Sequence, residues 1–254
     1  MKLWNHSRSL MRALPLLLTI TFASAIEKPT FVKAFEALPP AEKKAFGESL
    51  NEANRYLREK RVFDTLDALS AAESLIPSHP LVMQIQAACH IEFREFPQAE
   101  KIYLALEKQF PTNPSYVFNV GEVFFVQAKW KEASGHFSKL LESMRGNENN
   151  NLYYLAEFKN YICNKKLGNK KAAQIVENKY DFSSDTPAYY YINYVKLTDA
   201  KDKKATEWLL KARRVFRNPQ ILGPWQDTLS ESGYITSVYG GGDRGLEMNL
   251  IGEE

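Results

Sequence analysis

Apolar positions along this 254-residue chain recur at steps of three and four, the spacing of one helical face. Phe31, Phe35 and Leu38 open the pattern and predict a short helix, with Thr30 placed to cap it and Pro39-Pro40 to end it. Leu50, Ala53, Tyr56 and Leu57 come next, followed by Val62, Leu66, Leu69, Ala72 and Leu75, which stop near Pro77. A second pair of stripes runs through Leu81, Ile85, Ala88 and Ile91 and then Ala99, Ile102, Tyr103 and Leu106. A third spans Ser115 to Gln127 and Lys131 to Ser143, with Ala128-Lys129-Trp130 as the turn. The pattern predicts an all-α fold. None of these helices is long enough to be stable alone in water, so each must bury its stripe against neighbours.

The stripes also repeat. Ala99 and Tyr103 return 34 residues later as Ala133 and Phe137, and 34 residues earlier stand Thr65 and Leu69, with Pro77 matching Pro111. A fixed period of this length marks stacked helical hairpins. The register then slips: Ala133 to Ala172 is 39 residues, and the excess lies in the polar stretch Met144 to Asn151, which has turn chemistry. Two further pairs follow, Leu152–Lys166 with Lys170–Asn178, and an aromatic helix Ala188–Leu197 with a partner through Ala205, Leu209, Leu210, Ala212 and Val215. Ile221, Leu222, Trp225 and Leu229 then predict a closing helix, with Pro224 at a first helical position and Gly233 as its C-terminal cap. Trp225 is expected to cover the last hairpin.

The period and its residues resemble the tetratricopeptide repeat (TPR) family. The third unit matches that pattern at Val117, Val120-Gly121, Phe124, Ala133 and Phe137; the second at Ala87, Ala99, Tyr103 and Pro111, with His90 in place of a Tyr; the first at Ala53, Tyr56, Leu69, Ala72 and Pro77, with Thr65 in place of Ala. The resemblance implies a right-handed α-α superhelix of about five hairpins, at 46–79, 80–113, 114–147, 152–185 and 186–217, with short capping helices within 26–45 and 218–236. It also implies a concave groove lined by the first helix of each hairpin, which takes a protein or peptide partner. The matching groove positions are Asn54 and Arg58 in the first unit, Phe118, Glu122 and Phe125 in the third, Tyr154, Glu157 and Tyr161 in the fourth, and Tyr190 and Tyr194 in the fifth. For Tyr154, Tyr161, Tyr190 and Tyr194 the alternative is packing between helices. The positions by which chaperone-binding members hold a peptide carboxylate are Leu50, Asn54, Ser115 and Asn119, of which only Asn54 fits.

Composition changes this picture at the N-terminus. Lys2, Arg8 and Arg12, the apolar run Ala13 to Phe22 and the small residues Ala23-Ser24-Ala25 predict a signal peptide over 1–25, cleaved before Ile26. The run is well short of the roughly 20 residues that a membrane span requires. The expectation is therefore an exported chain, periplasmic or extracellular, with no stable membrane span after cleavage. The three basic residues in 1–25 account for the whole excess of 33 Lys+Arg over 30 Asp+Glu. A formally neutral mature chain argues against nucleic-acid binding, which depends on phosphate neutralisation.

No catalytic pattern stands out, and no cofactor is expected. Cys89 and Cys163 fall in units that should not touch, which predicts two buried free thiols. His79 lies in a Ser-His-Pro turn, and His90 is expected as a packed substitute for an aromatic. Gly240-Gly241-Gly242 have neither a preceding strand nor a following helix signal to make a phosphate cradle, and 237–254 reads as a flexible tail. The sequence therefore reads as a non-enzymatic scaffold that binds a protein or peptide. A structural subunit of an envelope assembly or secretion complex is the alternative, and an enzyme with an unrecognised site a more distant one.

Overall fold

A computed structural model of the chain describes residues 28–235; the expected signal peptide at 1–25 and the tail at 237–254 lie outside the described residues. The described residues form twelve α-helices: α1 (Thr30–Ala37), α2 (Pro40–Arg58), α3 (Val62–Leu75), α4 (Pro80–Glu92), α5 (Phe96–Gln109), α6 (Pro114–Val126), α7 (Trp130–Ser143), α8 (Asn151–Lys166), α9 (Lys170–Glu177), α10 (Ala188–Asp199), α11 (Ala205–Val215) and α12 (Pro219–Glu231). Helices α2 to α11 pair as five consecutive hairpins, and each hairpin packs on the next.

The starts of these helices are encoded locally. Pro40, Pro80, Pro114 and Pro219 each take the first helical position, where a missing N–H costs nothing. Side chains of Asn113, Asn150 and Asn218 accept hydrogen bonds from the first-turn amides of Ser115, Tyr153 and Gln220 at 2.9–3.0 Å. His79 caps α4 in the same way, its Nδ1 accepting from the Leu81 amide at 3.2 Å. Phe31, Phe35 and Phe46 surround the His79 ring, and burial lowers its pKa, so the neutral acceptor form is the one that caps. Thr30 does not cap α1: Pro29 holds that position, and Thr30 is already helical.

The hairpin turns share one geometry. Lys60, Arg94, Ala128, Gly168 and Lys201 all have positive φ, at 59°, 61°, 56°, 73° and 56°. Each follows the first helix of its hairpin by the same offset. In the third hairpin the Ala128 amide donates to Phe125 O and the Lys129 amide to Phe124 O, both at 2.9 Å, which is the Schellman arrangement. These left-handed residues are 34, 34, 40 and 33 positions apart. The insertion before the fourth hairpin is thus six residues: Ala173, buried at 4%, takes the place expected for Ala172. The register moved because the inserted loop carries its own left-handed turn at Gly146 (φ 84°) before Asn150 caps α8.

The repeat positions form the core. Thr65, Leu69, Ala99, Ala133 and Phe137 are fully buried and Tyr103 nearly so. Thr65 tolerates this because its hydroxyl donates to Arg61 O at 2.9 Å. Gly121 lets α6 approach Phe137 closely. Cys89 and Cys163 are buried free thiols, pushed up by burial to about 11 and about 12. His90 is half-buried, with its Nδ1 2.6 Å from Glu95 across the α4–α5 turn, rather than packed as an aromatic.

Candidate functional site

Helix α12 reaches from the last hairpin to the turn of the first. It is apolar on one side, where Leu222, Trp225 and Leu229 are buried, and its only charged residues are Asp227 and Glu231. Trp225 sits 5.0 Å from the Phe158 ring on α8 and 5.6 Å from the Tyr191 ring on α10. Glu231 reaches Lys159 of α8 at 2.9 Å, and Asp227 lies 3.9 Å from Lys60 in the first hairpin turn. These aromatic and charged partners of α12 belong to the first helices α8 and α10 and to the turn after α2; α12 also packs on α11. Pro224 falls inside α12, not at its first position, because Asn218 and Pro219 together start the helix five residues earlier.

Beneath α12 lies a charged cluster. The Lys159 side chain is only 2% exposed, with Glu122 Oε1 at 2.7 Å on one side and Glu231 Oε2 at 2.9 Å on the other. Its ammonium also stands 4.4 Å from the Phe125 ring centroid. Burial opposes the charge on Lys159, but the two carboxylates outweigh it and raise its pKa. Glu122 Oε1 is buried and accepts no aligned hydrogen bond. Burial first, and then Glu231 and Asp227, push the Glu122 carboxyl up to about 7 against the pull of Lys159. Nearer the first hairpin, Lys60 lies 2.7 Å from Glu92. Burial opposes the Lys60 charge too, but Glu92 and Asp227 hold its pKa above the ordinary value.

The ten expected groove residues separate into several environments. Arg58 is exposed, and Asn54 is half-buried with its amide donating to Leu50 O at 2.9 Å. Glu122 joins the Lys159 cluster. Phe118 and Phe125 are buried against Phe137. Glu157 is buried and saturated by its own chain: it accepts from the Tyr180 hydroxyl and, at 2.8 Å, from Lys179. Tyr154 is half-buried and donates to Asn149 Oδ1 at 2.8 Å, tying α8 to the inserted loop. Tyr161 is fully buried and donates to Glu177 at 3.0 Å; Tyr194 is buried and donates to Tyr234 O at 2.9 Å; Tyr190 packs near Trp208 and Phe216. Tyr161, Tyr190 and Tyr194 are thus packed between helices: the second helix of the same hairpin supplies Glu177 to Tyr161 and Trp208 to Tyr190, and the segment after α12 supplies the Tyr234 carbonyl to Tyr194. Sequence reasoning missed Lys159, Lys60, Asp227 and Glu231. A lysine in the helical run Tyr153–Lys166 carries no local sign of burial.

Elsewhere on the surface, the Phe63 side chain is 76% exposed and its ring stands 5.4 Å from that of Phe93, itself exposed, at the neighbouring hairpin turn. Among the described residues no group of His, Cys, Asp and Glu is arranged to hold a metal ion, and no helix is long and apolar enough to cross a membrane. Comparison of the chain with protein-family models, with curated proteins and with solved structures found no match.

Proposed function

We propose that the chain is an exported, TPR-like superhelical scaffold without catalytic activity, and that it holds a segment of a protein or peptide partner on the face built by the first helices of its hairpins. Helix α12 carries this reading. It lies against that face as an amphipathic helix, anchored by Trp225 and fixed in place by ion pairs at Lys159 and Lys60. A face that seats one helix by an aromatic anchor and flanking lysines has the chemistry of helix-in-groove recognition. Arg58, Asn54 and Tyr154, on the first helices of the first and fourth hairpins, retain access to solvent.

Photo-crosslinking in the producing cell tests the assignment. A benzophenone amino acid at Asn54, Arg58 or Tyr154 should capture a discrete partner, while the same group at Lys101 or Lys108 on α5 should not. Capture from α5 alone would remove the reading. The captured chain also reports on export, since its mass should begin at Ile26. One observation favours a second reading, in which the chain is a structural subunit of an envelope assembly held by its edge. The exposed Phe63–Phe93 pair forms an apolar ridge on the hairpin turns. Crosslinks confined to positions 63 and 93 would select that reading.

A further inference from the structure

The charges under α12 do not balance, and the imbalance arrives with α12 itself. The face beneath holds two matched pairs, Lys60 with Glu92 at 2.7 Å and Lys159 with Glu122 at 2.7 Å. Helix α12 adds Asp227 and Glu231 and no cation. Docking therefore places Glu231 against a lysine that already has a carboxylate, and leaves two ammonium groups facing four carboxylates. The charges that act most on Glu122 are those of Lys159, Glu231 and Asp227. Cys89, Tyr103 and Cys163 stay neutral because burial raises each pKa. Tyr191 of α10 is raised by burial as well, and the guanidinium of Arg213 on α11 acts on that ring.

We propose that α12 is a proton-linked clasp: it docks across the first helices together with a proton on Glu122, and it is released as Glu122 ionises. Protonating Glu122 removes one of the two negative charges crowding Lys159 and leaves the Lys159–Glu231 pair matched. The coupling is reciprocal: α12 raises the proton affinity of Glu122 through Glu231 and Asp227, so a proton on Glu122 must strengthen the docking of α12 by the same factor. The carboxyl is raised to about 7 in the docked state, and undocking withdraws Glu231, Asp227 and the cover of α12, so docking takes up a proton and weakens as pH rises through 7.

The helix is suited to release. Pro224 in its interior removes one backbone hydrogen bond, so α12 depends on its docked contacts for its helicity. Only Phe216, Arg217 and Asn218 separate it from α11, which keeps it beside its site when it lifts. The clasp is a property of the chain alone and is read on α12, so its test is independent of whether a partner is captured.

Amide hydrogen exchange of the full chain, followed by mass spectrometry over 219–231 and corrected for the intrinsic pH dependence of exchange, reads the docking equilibrium. Protection of α12 should fall about tenfold between pH 6 and pH 8, as one proton with a docked pKa near 7 requires, while α10 stays constant. Glu122→Gln, which carries the neutral form permanently, should keep α12 protected at both pH values. Should that variant not fold, Glu231→Gln, which leaves Lys159 with a single carboxylate, should shrink the change. Equal protection at pH 6 and pH 8 in the unaltered chain overturns the proposal. So does an undiminished tenfold change in the folded variant, or a fall shared equally by α10.

Discussion

A Cβ placed on Gly121 would stand 2.7 Å from Cε1 of Phe137, closer than carbon atoms pack. Two effects then compete. Alanine is a better helix former than glycine by about 1 kcal/mol, whereas forcing an extra carbon into a close-packed core costs about 1–3 kcal/mol. Space decides between them. Phe137 is fully buried, with Phe118 at 5.7 Å and Phe125 at 6.2 Å between ring centroids, and its ring cannot swing aside. Gly121→Ala should therefore lower stability by about 1–2 kcal/mol in urea denaturation. Adding Phe137→Leu should cost less in that background than in the unaltered chain; equal costs in both would show that the contact does not limit packing. Gly121 was legible in the sequence because a small residue recurs opposite an aromatic at a fixed offset. Lys159 was not. Its burial depends on carboxylates from Glu122 and from Glu231, the latter 72 positions away, and no spacing within α8 announces them. The tyrosines of α8 and α10 were ambiguous for a related reason. Helical periodicity gives the apolar side of a helix but does not separate the side facing an open groove from the side facing the next hairpin.

At the scale of the element, the hairpin turns repeat more faithfully than the side chains do. Every first helix from α2 to α10 ends in a left-handed residue, yet only Gly168 is a glycine. Lysine, arginine and alanine fill the other turns, so the turn geometry has no residue signature there, and the sequence placed the third turn through its helices rather than through Ala128. The conformation has a cost. A residue with a Cβ is disfavoured in the left-handed region by about 1–2 kcal/mol, against the extra backbone entropy of glycine in the unfolded chain, about 0.5–1 kcal/mol. The two Schellman hydrogen bonds of this turn are donated by the Ala128 and Lys129 backbone amides, so a change of side chain at Ala128 leaves them intact. Ala128→Gly should thus stabilise the chain by about 0.5–1 kcal/mol, seen as a higher thermal midpoint. A lower midpoint would mean that the Ala128 methyl contributes contacts outweighing the strain. The closing helix illustrates the opposite limit. Its sequence contains two prolines, both compatible with a first helical position, and Asn218 decides between them by capping at 2.9 Å.

Across the whole molecule the apolar side chains fall into three clusters. One holds α1 to α4, around Phe46, Leu69 and Ile85. A second spans α4 to α6, around Tyr103 and Val120. The third and largest runs from α6 to α12. Stacked hairpins couple mainly to their neighbours, so the stability of one cluster passes to the next only through the shared helices, here α4 and α6. The direct link from the first hairpin to α12 is the Lys60–Asp227 contact, whose side chains are 59% and 55% exposed, and pairs of that kind contribute about 0–1 kcal/mol. The two ends of the chain should therefore not lose structure together. Trp130, Trp208 and Trp225, the tryptophans among the described residues, belong to or pack on the large cluster, so in a chain lacking residues 1–25, and with them Trp4, tryptophan fluorescence reports on the C-terminal part, whereas far-ultraviolet circular dichroism reports on all the helices. In urea, the dichroism should begin to fall at lower concentration than the fluorescence, as the smaller clusters of α1 to α6 open first. Superimposed curves would instead mean that α4 and α6 transmit enough packing energy to make the stack unfold as one unit.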